Sequence, residues 1–194
     1  MTMNLLDQIL EHNEYFVENN LYEQYRTSRF PNKKLVVVSC MDTRLTELLP
    51  AAMGLKNGDS KIIKTAGAVV SHPFGSVMRS IMVAIYELGA QEICVVGHHD
   101  CGMTSIDPNH TLQKMRDRGI SENTIDTLGY AGIDLRHWLK GISSLEESVL
   151  ESARVIRQHP LIPADVRVHG LVIHPVTGRL EVLAGDYQLE TDLA

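Results

Sequence analysis

Two short runs decide what this chain can fold into. Residues Leu35-Val36-Val37-Val38-Ser39 and Ile93-Cys94-Val95-Val96-Gly97 are almost wholly apolar and rich in β-branched side chains. A strand with one wet face alternates apolar and polar residues, whereas a continuously apolar strand must be covered on both faces. Parallel sheets flanked by helices provide that cover, and helical patterns separate the two runs. Leu5, Leu6, Ile9, Leu10 and Phe16 predict an amphipathic N-terminal helix that continues weakly toward Tyr25 before Pro31. Residues 45–53 read as a short helix closed by Gly54, and 61–64 as a second strand running into a loop at Gly67. A longer helix is expected to open at Pro73, bury Val77, Ile81, Ala84, Ile85 and Leu88, and end at Gly89.

Residues 104–140 predict helical pieces interrupted by Pro108, Gly119, Gly129 and Gly132. The Ser144-Leu145-Glu146-Glu147 spacing of a capping box opens a further helix, with Leu145, Val149, Ala153 and Ile156 on one face, up to Pro160. Residues 166–173 read as a fourth strand, turned by Thr177-Gly178 into an antiparallel edge strand at 179–183. The fold class is therefore α/β: a central, mainly parallel β-sheet with an antiparallel edge strand, flanked by helices. No repeat or linker divides the chain, so 1–194 is expected to be one domain with an N-terminal helical arm at about 1–30. In such sheets ligands collect beyond the C-terminal ends of the strands.

Composition excludes several functions. A formal net charge of −6 leaves no basic face for nucleic acid or an anionic membrane. Asp7, Glu11 and Glu14 interrupt what a secretory leader would need, and no stretch reaches the length of a membrane span. Three cysteines, Cys40, Cys94 and Cys101, cannot pair completely; in a chain without a leader they point to the cytoplasm and to metal binding or catalysis. No Gly-x-Gly-x-x-Gly or Walker loop follows a strand, which excludes a dinucleotide reading.

The chemistry lies at two strand ends. Cys40-Met41-Asp42-Thr43-Arg44 follows the first apolar run, and His98-His99-Asp100-Cys101-Gly102 the other. Thiolate and imidazole are ligands zinc favours, and three protein ligands with a fourth position open mark a catalytic site. Cys40, His98 and Cys101 supply that set. Cys94, alone on an apolar strand, is expected in the core, and His137, His169 and His174 lack ligand spacing.

Cys-x-Asp-x-Arg followed by His-x-x-Cys resembles the paired signature of the β-carbonic anhydrases. Thr65-Ala66-Gly67-Ala68 is similar to the family's Asn-Ala-Gly loop, with Thr65 in place of Asn, and Gly170-Leu171-Val172-Ile173 with Thr177-Gly178-Arg179-Leu180 is similar to its closing hairpin. The loop ending in Cys101-Gly102-Met103 resembles the compact branch rather than the plant-like one.

The resemblance implies one Zn2+ per chain on Cys40, His98 and Cys101, and reversible hydration of carbon dioxide to bicarbonate by zinc-bound hydroxide. It makes Asp42 and Arg44 a hydrogen-bonded catalytic pair, with Asp42 able to swing onto the metal as a fourth ligand in a closed state. It also implies a homodimer or an assembly of dimers, with the N-terminal helix lying on the partner. Val69 and Val70 are candidates for a small apolar pocket wall. His99 is read as an exposed loop histidine before a proton shuttle, and Asp100 as either a supporting acceptor or a solvated carboxylate. Two other functions stay open: carbon disulfide or carbonyl sulfide hydrolysis on the same site, and a non-catalytic zinc or thiol regulatory module.

Overall fold

The computed structural model describes residues 4–185. Helix α1 (Leu5–Glu18) starts where the Asn4 side chain accepts the Asp7 amide at 2.9 Å. None of its residues is buried, and a 3₁₀ turn at Leu21–Tyr25 leads from it toward the body. The sheet holds β1 (Leu35–Cys40), β2 (Ser60–Thr65), β3 (Glu92–His98), β4 (Arg167–Ile173) and β5 (Leu180–Ala184) in the order β2-β1-β3-β4-β5. All neighbours are parallel except β4 and β5, which are antiparallel with a register shift between Gly170 and Leu171. The predicted class, including its antiparallel edge, is the observed one.

Every residue of β1 is buried, as its unbroken apolar run requires. Val36, Val38, Ile93 and Val95 face α3 (Ser76–Tyr86) and α7 (Leu145–Arg157); Leu35, Val37 and Val96 face α2 (Leu45–Ala52). Helix α7 opens on Ser144, whose hydroxyl accepts the Glu147 amide at 3.2 Å, and buries Leu145, Val149, Ala153 and Ile156 as its pattern predicts. Gly97 lets α7 approach β3. A Cβ there would lie 2.6 Å from a Val149 methyl and 2.7 Å from a Leu145 methyl. Gly97→Ala is expected to cost about 1–3 kcal/mol through overpacking, measured as a lower denaturant midpoint at unchanged slope.

Three boundaries differ from expectation. Helix α3 opens at Ser76 instead of Pro73, because the Phe74 amide donates to His72 Nδ1 at 3.0 Å and the Gly75 amide to the His72 carbonyl at 3.1 Å, forming a turn first. Pro108 begins a helix instead of interrupting one, since α4 (Pro108–Asp117) has Asp107 as its cap and can spare the missing N–H at its first position. Gly129 lies within α5 (Glu122–Tyr130) rather than breaking it. A short α6 (Leu135–Trp138) follows. No described helix is long and apolar enough to cross a membrane.

Candidate metal centre

The two motifs meet because β1 and β3 are adjacent and parallel, so that Cys40 and His98 are the final residues of neighbouring strands. Cys101 returns from the loop after β3. One Sγ atom of each cysteine and one ring nitrogen of His98 all lie within 4.8 Å of one another, and all three residues are buried. The sulfurs are 3.9 Å apart. His98 Nδ1 lies 2.8 Å from the His99 carbonyl, to which it donates; Nε2 is then the nitrogen with a free lone pair, and it is buried without a hydrogen-bond partner among the described residues. A buried ring nitrogen left bare beside two thiols suits a metal ion, and zinc in particular, better than it suits an apolar core.

Asp42 stands at the rim, with Oδ2 3.7 Å from His98 Nε2. Arg44 holds it from three directions: Nε donates to Oδ1 at 3.0 Å, Nη2 to Oδ2 at 2.8 Å, and the backbone amide to Oδ1 at 2.9 Å. The Arg44 hydrogen bonds, opposed by some desolvation, hold the Asp42 carboxyl down at about 2, and the same contacts raise the guanidinium. The guanidinium also reaches the second loop, where Nη1 donates to Asp100 Oδ2 at 3.0 Å and Nη2 to the Asp100 carbonyl at 3.1 Å. Asp100 is thus an acceptor for Arg44, and its left-handed backbone, φ 56°, accompanies that turn of its carbonyl. The His99 ring stands 6.0 Å from that of His174.

Three contacts around the site go beyond what the motifs announce. Gly67, at φ 72°, donates its amide to Cys40 Sγ at 3.4 Å, and a Cβ on it would stand 3.0 Å from the Met103 side chain. Lys64 Nζ donates to the Cys40 carbonyl at 3.3 Å; burial lowers its pKa while Cys40 and Asp42 pull the other way. The Val70 amide donates to the buried Ser152 hydroxyl at 3.1 Å, tying the loop after β2 to α7. Val70 packs in the core beneath α3 and α7, which leaves half-buried Val69 as the exposed member of the expected pocket wall. Cys94 is buried as expected, its thiol pushed up to about 12, chiefly by burial.

Residues 35–181 match the family model described as carbonic anhydrase. The chain belongs to the β-carbonic anhydrase family. It is 60% identical over 185 residues to YvdA of Bacillus subtilis (strain 168), a candidate carbonic anhydrase, covering 95% of this chain and 94% of that protein. The crystal structure of β-carbonic anhydrase isoform I from Trichomonas vaginalis superposes with a TM-score of 0.86 at 34% identity, covering 95% of this chain and all of that one. A carbon disulfide hydrolase of Acidianus sp. (strain A1-3) is 32% identical over 172 residues, 82% of each chain. β-Carbonic anhydrases are zinc enzymes, and the Cys40, His98 and Cys101 group is where this member could bind its metal.

Proposed function

We propose that the chain is a zinc-dependent carbonate dehydratase that interconverts carbon dioxide and bicarbonate. The observation that carries this reading is the convergence of two thiols and a bare imidazole nitrogen beside a carboxylate that Arg44 keeps ionised. Cys40, His98 and Cys101 would hold a zinc ion, which would supply Lewis acidity for the activation of water. His98 keeps Nε2 available by donating Nδ1–H to the His99 carbonyl. Asp42 accepts a hydrogen bond from the reacting oxygen and so orients its lone pair. Arg44 fixes the carboxylate and, through Asp100, ties the two loops together.

The test pairs metal analysis with stopped-flow hydration. We expect about one zinc per chain and activity that climbs between about pH 7 and pH 9, because two thiolates leave a weaker Lewis acid than three imidazoles. Asp42, held down at about 2, is ionised across that interval, so the rise is not its own titration. Flat or falling activity at constant metal content argues against this centre. The likeness to a carbon disulfide hydrolase favours a second reading, in which the same centre hydrolyses carbon disulfide or carbonyl sulfide. Turnover of carbonyl sulfide without hydration of carbon dioxide selects it.

We also propose a cytosolic homodimer, since thiol ligands need reducing surroundings and α1 has no buried residue while Leu5 is 72% and Ile9 56% exposed. Light scattering at micromolar concentration is expected to give at least twice the 21.6 kDa chain mass; a single-chain mass contradicts the dimer.

A further inference from the structure

We propose that Cys40 and Cys101 also form a redox switch, in which hydrogen peroxide closes them into a disulfide and expels the metal. The inference rests on the reading that these cysteines hold zinc, and its own support is geometric. Their sulfurs face each other at 3.9 Å, so closure to a bond of about 2.05 Å requires an approach of about 2 Å. Cys40 is fixed by strand pairing with Thr65, whereas Cys101 lies in the loop after β3. Cys94 is excluded by place: it sits in mid-strand, paired between Val37 and His169.

In the reaction one thiolate attacks the O–O bond, giving a sulfenic acid and hydroxide. The second thiolate then displaces hydroxide from that sulfur and forms the S–S bond. Two electrons leave the sulfur pair, hydrogen peroxide takes them, and two protons from solvent convert both hydroxides to water. Zinc departs with its charge unchanged, since neither sulfur of a disulfide is a thiolate ligand. Restoration requires a dithiol reductant and fresh metal.

The test treats the zinc-loaded full chain, and in parallel the chelator-stripped chain, with hydrogen peroxide in the presence of a chromogenic zinc indicator. We expect zinc release in step with the loss of two of the three thiols, a Cys40–Cys101 cross-linked peptide in both forms, and recovery of metal binding after dithiothreitol and zinc. Cys94→Ser should behave identically. Met41, 66% exposed, reports the oxidant dose by its sulfoxide. Zinc retention while Met41 oxidises overturns the proposal, as do sulfinic acids without a cross-link or a cross-link through Cys94. A chain that never takes up zinc overturns the functional reading instead, while a zinc-loaded chain in which neither form cross-links overturns only this one.

Discussion

His98→Ala is expected to leave purification without zinc and without hydration activity while keeping the circular dichroism of the parent chain. The imidazole is buried at the end of β3, and its Nε2 has no partner within the described residues. Its removal takes away a ligand and opens a space in which two thiolates alone must retain the ion. Loss of a group that merely supports a ligand costs about 10–100-fold in metal affinity, so loss of the ligand itself should exceed that. Cys40→Ser and Cys101→Ser should follow the same course. Metal content near one per chain in all three variants would return these residues to the buried core.

Asp42→Asn is expected to retain zinc and lose hydration activity by about 100-fold. The amide has one oxygen acceptor where the carboxylate has two, and two bonds from the Arg44 side chain already occupy both carboxylate oxygens. In the variant an N–H must face either the guanidinium or the reacting oxygen. Arg44→Ala should lose activity in the same direction, with Asp100 released as well. Hydration at the parental rate would make the pair an ordinary surface ion pair, worth about 0–1 kcal/mol.

The sheet and the juxtaposed motifs were legible because they depend on residue identity. An apolar run such as Val36-Val37-Val38 has to be covered twice, and parallel pairing of two such runs brings their last residues together. The supporting contacts were not legible. The amide from Gly67 to Cys40 Sγ belongs to the backbone, which no side-chain pattern records, and the Lys64 bond depends on how far an edge-strand side chain reaches. Asp100 read equally well as an acceptor or a solvated carboxylate until Arg44 was seen to span both loops. The start of α3 carries no sequence signal because His72, which takes up two amides ahead of the helix, is no standard cap.

The order β2-β1-β3 has a consequence for how the molecule comes into being. The two sulfurs belong to residues 61 positions apart, and the Arg44 link to Asp100 spans 56. No local segment contains the site. Its loops converge only once β1 and β3 have paired, a non-local event whose loop-closure entropy must be met before any contact at the strand ends rewards it. The partly made chain therefore offers no complete ligand set, so a metal ion held by Cys40, His98 and Cys101 would enter after β1 and β3 have paired and would act as a late lock on the architecture.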